Sequence, residues 1–263
     1  MNHTLTWRRF LQFLALTAVI LTTAVSLQAQ SDDPAAIPPP DSVTIAGTLQ
    51  PDIGCSGEWS PPCEESQLTY DSANDIWWAT FDLPAGSYEY KAALNGDWDD
   101  NYGLNAEYYG ENIPLELPED GEVTFWYDHK TRWVSDSINS LIATVPGDYQ
   151  DEIGCDGEWA PACLRSLLQD PDGDGIYQLV TADIPAGDYE AKVALNQSWE
   201  VNYGADGEPD GANIPFTAPE DEAVIFTFDP ATNLLTISTG DPALAASAAT
   251  PAAGLPNPVV PPP

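Results

Sequence analysis

The sequence predicts an all-β protein with two tandem immunoglobulin-like β-sandwich domains. Short runs rich in β-branched and aromatic residues alternate with Gly, Pro, Asn and Asp at intervals of about ten residues, which is the pattern of a sandwich. Residues 43 to 240 contain nearly the same sequence twice, with a period of about 100 residues, an ordinary domain size. Neither copy shows helical periodicity.

The strands expected in each copy follow from these runs in chain order. The first copy should form strands near residues 43–49, 67–70, 76–83, 88–95, 112–117, 122–128 and 132–136. The second copy should form strands near residues 142–149, 165–169, 176–184, 189–196, 213–218, 223–228 and 234–238. Pro84-Ala85-Gly86 and Pro185-Ala186-Gly187 are turn signals between successive strands.

The strand that begins near residue 88 places its side chains on two faces. Its period of two puts Tyr88, Tyr90, Ala92 and Leu94 on the core face. Lys91 lies on the opposite face, and Lys192 takes the same place in the second copy. Both lysines should therefore point away from the core.

The remaining segments complete the expected organisation. Residues 1–30 combine Arg8 and Arg9, an apolar run and a small-residue cleavage site, which together predict an export signal peptide. We expect a Pro-rich linker at 31–42, a first module at 43–137, a second module at 141–240 and a disordered Ala/Pro-rich tail at 241–263. After signal cleavage no apolar run approaches the roughly 20 residues that span a bilayer, so we expect a secreted protein without a membrane span.

The charge of the chain narrows its partners. The formal net charge is −35 and the isoelectric point is about 4.1. Such a charge repels phosphate backbones and anionic lipids, which argues against binding to nucleic acid or to a membrane surface. The binding of a neutral ligand is not opposed by this charge.

Four cysteines occur as two equally spaced pairs. In an exported chain this spacing predicts the disulfides Cys55–Cys63 and Cys155–Cys163. The alternative is a four-cysteine zinc site, whose ligands usually lie only about two to four residues apart. The disulfides would constrain the loops that carry Trp59 and Trp159.

Positive charge is scarce. Of seven Lys and Arg residues, Arg8 and Arg9 belong to the signal peptide, which leaves five: Lys91, Lys130, Arg132, Arg165 and Lys192. Lys91 and Lys192 occupy equivalent positions in the two copies. One interpretation pairs them with Glu89 and Glu190 on the same face. We favour the other interpretation, in which they donate hydrogen bonds to ligand hydroxyl groups.

Two tryptophans in each copy lie in polar loops. Trp59 and Trp159 lie between the paired cysteines, whereas Trp98 and Trp199 follow the lysine strand. An exposed indole matches the apolar face of a sugar ring and loses little rotamer entropy on binding. The alternative is that these indoles close the end of the sandwich. The tryptophans of the predicted strands are assigned to packing: Trp77, Trp78, Trp126 and Trp133.

One acidic run has the pattern of a metal site. Asp170, Asp172 and Asp174 alternate as in a calcium-binding loop, but Thr181 stands where such a loop carries its last glutamate. We favour a hairpin turn and keep these carboxylates as a calcium candidate. No other cofactor is expected.

The sequence gives little support for a catalytic site. His129 is the one histidine outside the signal peptide and has no counterpart in the second copy. A histidine-based triad or metal site would therefore exist in one copy at most. We expect no catalytic residues and no enzymatic activity.

Three ordered motifs occur in both copies: Gly-Cys-x-Gly-Glu-Trp-x-Pro-x-Cys, Pro-Ala-Gly-x-Tyr-Glu-x-Lys and Trp-x-x-Asn-Tyr-Gly. With them, about three quarters of the chain resembles the accessory module found beside the catalytic domain of amylopullulanases. The resemblance implies an immunoglobulin-like fold, related to modules of surface starch-binding lipoproteins that hold α-glucan helices. It implies two ligand-binding sets: Trp59, Lys91, Trp98 and Asn101, and Trp159, Lys192, Trp199 and Asn202.

The sequence and the resemblance together predict a secreted, non-catalytic carbohydrate-binding protein. Its two modules should bind starch-like α-glucans, namely starch, pullulan and maltooligosaccharides, and a glycoside hydrolase is a further expected partner. The alternative is a structural spacer or protein-interaction module that accompanies a glycoside hydrolase. In that case the loop tryptophans would be packed and the lysines paired.

Overall fold

The structure is a computed structural model that describes residues 39–248. The predicted signal peptide, most of the Pro-rich linker and residues 249–263 of the predicted tail lie outside the described residues. Within the described part, no helix is long and apolar enough to cross a membrane. Both copies belong to one compact unit.

The first module contains eight strands: β1 (Val43–Gly47), β2 (Thr69–Asp71), β3 (Ile76–Leu83), β4 (Gly86–Leu94), β5 (Asn101–Tyr102), β6 (Ile113–Leu117), β7 (Gly121–Tyr127) and β8 (Val134–Asp136). One antiparallel sheet has the order β1-β4-β5, with β6 also paired to β4. The other has the order β2-β3-β7-β8. The two sheets form a sandwich because each buries the inward half of its alternating side chains.

The second module repeats this arrangement with β9 (Ala143–Thr144), β10 (Leu167–Leu168), β11 (Tyr177–Thr181), β12 (Gly187–Ala191), β13 (Val193–Leu195), β14 (Asn202–Tyr203), β15 (Ile214–Ala218), β16 (Ala223–Asp229) and β17 (Leu234–Gly240). The strands pair as β10-β9-β13-β14, β12-β15 and β11-β16-β17. A short helix α1 (Ala243–Ala248) follows at the start of the predicted tail. The predicted fold class, all-β with two immunoglobulin-like sandwiches, is confirmed.

The strand predictions differ from the structure in a few places. Strand β3 has the predicted bounds, but the two-residue strands β5 and β14 were not predicted. Strand β9 ends at Thr144 rather than near residue 149, because Pro146 lacks the N–H that the ladder needs. The strand predicted at 189–196 is divided at Lys192, whose N–H donates instead to the Pro146 carbonyl at 2.9 Å.

Each module has its own aromatic core, and the two cores are filled differently. In the first, Tyr90 is fully buried and packs edge-on against Phe125, with Leu49 beside them in the same cluster. In the second, Ala191 replaces the tyrosine of β4, and Tyr149 replaces Leu49. Each module therefore has a tyrosine at one of these two positions and a smaller apolar residue at the other, which conserves core volume.

A third apolar cluster joins the two modules. It contains Ile76, Trp126 and Trp133 of the first module and Ile142, Leu164 and Leu167 of the second, all at most 7% exposed. Five of these six positions carry different residue types in the other copy, and one of the five is Ile142, which corresponds to Ser42. Trp126 and Trp133 correspond to Thr227 and Leu234, whereas Leu164 and Leu167 correspond to Glu64 and Gln67. The copies have therefore diverged where they contact each other.

Hydrogen bonds surround this interface. The Leu164 N–H donates to Oδ1 of Asn74 at 2.7 Å. The Arg165 guanidinium donates to the backbone carbonyls of Ala73 at 2.7 Å and Ser72 at 3.1 Å. The β2–β3 turn of the first module is thus held by the segment that follows Cys163.

A buried glutamine, Gln169, forms hydrogen bonds between the modules on the other side of the interface. Gln169 donates through Nε2 to Oδ2 of Asp128 at 2.7 Å and accepts at Oε1 from the Thr131 hydroxyl at 2.6 Å. Lys130 holds the same loop by donating to Oδ2 of Asp75 at 3.0 Å. Asp128 and Gln169 are both almost fully buried, so their mutual hydrogen bond satisfies groups that would otherwise be costly to bury.

The packing prediction holds for three of the four strand tryptophans. Trp77, Trp126 and Trp133 are buried, but Trp78 is 41% exposed, so its assignment to packing is wrong. Trp78 pairs with Trp126 across strands β3 and β7, which places both on the outer face of the sheet. The second module covers that face at Trp126 and leaves Trp78 in solvent.

Candidate ligand-binding loops

The first loop of each module is closed by the predicted disulfide. Cys55–Cys63 and Cys155–Cys163 are both formed, with Cα–Cα distances of 5.9 Å. Within them Trp59 and Trp159 both have φ of +53°, a left-handed conformation that is rare for a bulky residue. The Trp59 N–H donates to the Gly47 carbonyl, and the Trp159 N–H donates to the Gly147 carbonyl. Two diverged copies therefore keep one strained tryptophan geometry.

A buried glutamine supports this loop in both modules. Gln50 donates through Nε2 to the Ser60 carbonyl and the Ser66 hydroxyl, both at 2.8 Å, and accepts from the Ser60 N–H at 2.7 Å. Gln150 makes the equivalent contacts with Ala160 and Ser166. The glutamine is fully buried and its bonds lie just after the tryptophan, so it supports the loop together with the disulfide.

Replacement of Gln50 by alanine should lower the free energy of unfolding by about 1–3 kcal/mol, because it leaves buried loop groups without partners. Urea unfolding with the disulfides intact measures the change. Gln67→Ala is the matched control, since no side-chain hydrogen bond of Gln67 occurs among residues 39–248, and it should change stability by less than about 0.5 kcal/mol. Equal effects of the two variants would contradict the support role.

The second loop of each module is tied down by an asparagine. Asn101 is 2% exposed and donates through Nδ2 to the Trp98 carbonyl at 3.0 Å. Asn202 makes the same contact with Trp199 at 3.0 Å and also donates to Oδ1 of Asp210 at 2.7 Å. In this structure the contacts of both asparagines are therefore with their own loops, which they hold in place beneath the indoles.

The lysine of each module points out of the core, as its strand position predicts. Within residues 39–248 no ion pair joins Lys91 to Glu89 or Lys192 to Glu190. The two glutamates instead accept from the side chains of Asn112 and Asn213 at 3.0 and 2.9 Å. Partial burial lowers the pKa of Lys91, and the nearby Glu111 carboxylate opposes that shift.

The two loops of the first module meet. The rings of Trp59 and Trp98 lie 6.3 Å apart between centroids, with an angle of 40° between their planes. In the second module Trp199 is 39% exposed, and no ring pair with Trp159 occurs in the described part of the chain. The first module thus brings its two loop indoles together.

These loops recur in known proteins. The model of the family described as Pullulanase X25 domain matches residues 42–134 and 142–235, which contain both sets of loops. The chain belongs to this family. It is therefore a tandem of two X25 modules, as the resemblance of the motifs predicts.

Curated relatives of the X25 tandem are much longer proteins. It is 33% identical over 242 residues to Amylopullulanase from Thermoanaerobacterium thermosulfurigenes, with 87% of this chain covered. It is 33% identical over 230 residues to Amylopullulanase from Thermoanaerobacterium saccharolyticum, with 84% covered. The chain spans only 12% and 17% of these relatives.

Two solved structures were matched at low similarity. Pullulanase from Bacillus acidopullulyticus is 17% identical, with a TM-score of 0.35, 77% of this chain covered and 28% of that chain. The crystal structure of SusF from Bacteroides thetaiotaomicron is 14% identical, with a TM-score of 0.26, 78% of this chain covered and 50% of that chain.

The calcium candidate of the X25 tandem lies in the turn between β10 and β11. Asp170, Asp172 and Asp174 place one carboxylate oxygen each within 4.8 Å of one another. Asp170 accepts from the N–H groups of Asp174 and Gly175 at 3.1 and 3.0 Å, which are bonds of a hairpin turn. Burial, together with the neighbouring Asp172, raises the pKa of Asp170.

His129 is part of the first module's packing. It is 2% exposed, and its Nε2 lies 3.6 Å from Oδ1 of Asp75. Its ring packs edge-on against Tyr70 at 6.0 Å. Burial and the nearby Lys130 ammonium lower the pKa of His129. A buried imidazole among such neighbours contributes to the fold of this loop.

Two kinds of residue in this region were not predicted. The glutamines Gln50 and Gln150 occur at the same place in both copies, and this repetition was available in the sequence. The exposed pair Tyr108 and Tyr109 occurs in the first copy alone. The glutamines are identifiable from the sequence because both copies keep them at the same polar position. The tyrosine pair is not identifiable in this way because the second copy lacks it.

Proposed function

We propose that the X25 tandem is a secreted, non-catalytic protein that binds starch-like α-glucans (starch, pullulan and maltooligosaccharides) through two sites. The observation that supports this most directly is the meeting of Trp59 and Trp98 at 6.3 Å in loops that both modules keep. Two tilted indoles at this spacing offer apolar faces to a curved ligand. The proposed sets are Trp59, Lys91, Trp98 and Asn101, and Trp159, Lys192, Trp199 and Asn202.

The loop geometry supports a binding role for the indoles. A left-handed tryptophan costs about 1–3 kcal/mol, and such strain concentrates at functional sites. Both modules keep it at Trp59 and Trp159 and support it with a disulfide and a buried glutamine. An indole held in this way loses little entropy when a sugar ring stacks on it.

The charges near the sites suit a neutral, hydroxyl-rich ligand. Neither Lys91 nor Lys192 forms an ion pair within residues 39–248, so each ammonium keeps donors for a ligand. The net charge of the whole chain, −35, opposes the binding of anionic ligands. A neutral glucan meets both conditions.

Two sites on one chain also suit a polymer. At a millimolar dissociation constant, one site contributes about −4 kcal/mol. A second site on the same polysaccharide binds at a high effective concentration, so the pair gains by avidity. The two disulfides agree with an extracellular location, because such bonds persist in oxidising compartments.

The test is retardation of the protein in native gels that contain amylopectin or pullulan. The natural chain should be retarded, and the Trp98→Ala, Trp199→Ala double variant should lose at least about tenfold in affinity if each indole contributes roughly 1.4 kcal/mol. Trp78→Ala is the matched control, because Trp78 is 41% exposed but lies outside the loops. Absence of retardation, or an equal loss in the control, would refute the proposal.

A second candidate is a spacer or protein-interaction module that accompanies a glycoside hydrolase. It is favoured by the relatives, which are named Amylopullulanase and are several times longer than this chain. This function predicts that the four loop indoles are packed and therefore shielded from solvent in the isolated chain. Acrylamide quenching of the isolated chain, with and without maltoheptaose, separates the two candidates, since protection by the sugar supports only the first.

A further inference from the structure

The first module carries an exposed aromatic pair that the second lacks. Tyr108 and Tyr109 are 42% and 38% exposed, and they correspond to Pro209 and Asp210 in the second module. Large exposed apolar side chains that adjoin a candidate site indicate a contact surface. The site residues that both modules share therefore do not account for this pair.

The two tyrosines are anchored to the loop of Trp98. Both hydroxyls donate to the backbone carbonyl of Asp99, at 2.7 Å from Tyr108 and 2.8 Å from Tyr109. The two rings pack edge to face at 4.4 Å, and Tyr102 lies 5.6 Å from Tyr108. Since Asp99 directly follows Trp98, the pair adjoins the proposed site of the first module.

The anchoring of the hydroxyls leaves the exposed parts of the two rings as the available surface. Each hydroxyl already has an acceptor, and each ring is held by a neighbour, so little conformational freedom remains to be lost on binding. Tyr109 also has φ of +54°, a left-handed conformation that is uncommon for an aromatic residue. An ordered, exposed aromatic face beside a sugar site suits a further sugar ring.

The second module uses the same backbone differently. The N–H groups of Tyr109 and Asp210 both donate to the carbonyl of the loop asparagine, at 3.0 and 3.1 Å. There, however, the Asp210 carboxylate accepts from Asn202 at 2.7 Å and offers no apolar face. The backbone is shared, so the difference between the modules lies in the side chains.

We propose that Tyr108 and Tyr109 form an additional subsite that extends the first α-glucan site by further glucose residues. This inference rests on the proposed function of the tandem. It makes the two modules unequal: the first gains affinity as the glucan lengthens, whereas the second binds short and long glucans more nearly alike. The ligand of the subsite is the continuation of the α-glucan chain already stacked on Trp98.

The experiment is isothermal titration of the full chain with maltotriose and maltoheptaose. A Trp199→Ala background silences the second site, and Tyr108→Pro, Tyr109→Asp then imports the natural residues of the second module onto a matching backbone. The dissociation constant for maltoheptaose should rise by about threefold to tenfold, as expected for the loss of aromatic stacking. The constant for maltotriose should change by less than about twofold.

The controls separate this inference from the proposed function. Leu104→Ala removes another exposed apolar side chain of the same connection and should leave both constants unchanged. If the natural chain binds neither oligosaccharide, the proposed function and the subsite both fail. If it binds, but the double replacement affects both oligosaccharides equally or neither, the subsite alone is refuted.

Discussion

Replacement of Trp133 by alanine should lower the free energy of unfolding by about 3–5 kcal/mol, because it leaves a cavity in the cluster that joins the modules. Trp133 is 3% exposed and belongs to the same cluster as Leu164 and Leu167 of the second module. The loss should therefore be shared by both modules. Guanidinium unfolding with the disulfides intact, followed by circular dichroism, measures it.

The second module provides the matched control. Leu234 is the counterpart of Trp133 but is 42% exposed, so Leu234→Ala should change stability by less than about 0.5 kcal/mol. The natural chain should unfold in one transition because the cluster couples its modules, and Trp133→Ala should separate that transition into two. A small loss in Trp133→Ala, or one no larger than in Leu234→Ala, would contradict the role of the interface.

The interface has a consequence for the proposed second site. Leu164 and Arg165 contact the turn of the first module at Asn74 and Ala73, and they directly follow Cys163, which closes the loop of Trp159. The first module therefore supports the loop of the second. Two sites held in a constant relative orientation bind one polymer with less loss of entropy than two sites on a flexible linker.

The described residues include all five basic residues outside the predicted signal peptide. Lys91 lies on the outer face of β4, and Lys192 lies at the equivalent position between β12 and β13. Lys130 and Arg132 organise the loop after β7, through Asp75 and the His129 carbonyl, while Arg165 crosses the interface. Three of the five cations, Lys130, Arg132 and Arg165, therefore make specific hydrogen bonds within the described residues.

The fold could be predicted because its signals are local. Alternation along β4 placed Tyr90 inside and Lys91 outside, and equal spacing paired the cysteines. The period of two depends only on backbone geometry, so it survives without any knowledge of the partner strand. The grouping of Trp59 with Trp98 in one set rests instead on the resemblance of the motifs to a known family.

The interface could not be predicted by the same means. A comparison of the copies selects what they share, whereas the contact between them depends on what they do not share, as at Trp126 and Thr227. Alternation also cannot tell which outer positions a neighbouring module will cover. Trp78 and Trp126 share one outer face, and only Trp126 is buried. That distinction arises from tertiary contact alone.

Replacement of Asp136 by alanine is the second change for which we expect a loss of about 3–5 kcal/mol in the free energy of unfolding, because it removes a buried carboxylate that accepts from four donors at once, one of them the buried Tyr90 hydroxyl. The Asp136 carboxylate is fully buried. It accepts from the Tyr90 hydroxyl at 2.6 Å, from the N–H groups of Ile138 and Asn139 at 2.8 Å, and from the Asn139 side chain at 2.7 Å. It thereby joins the core of the first module to the connection between the modules.

The tyrosine sharpens this prediction. Burial, and after it the Asp136 carboxylate, raises the pKa of Tyr90 well above its ordinary value. Tyr90→Phe removes one donor and leaves the carboxylate three others, so it should cost only about 1 kcal/mol. Asp82→Ala, at an exposed position of β3, should cost less than about 0.5 kcal/mol.

If Asp136→Ala resembled Asp82→Ala in urea unfolding, the connection would not depend on this carboxylate. If it resembled Tyr90→Phe, only the bond to the core would matter. A loss that exceeds both shows that the N–H groups of the connection are held by Asp136. The position of Ile142 in the cluster between the modules then depends on the same side chain.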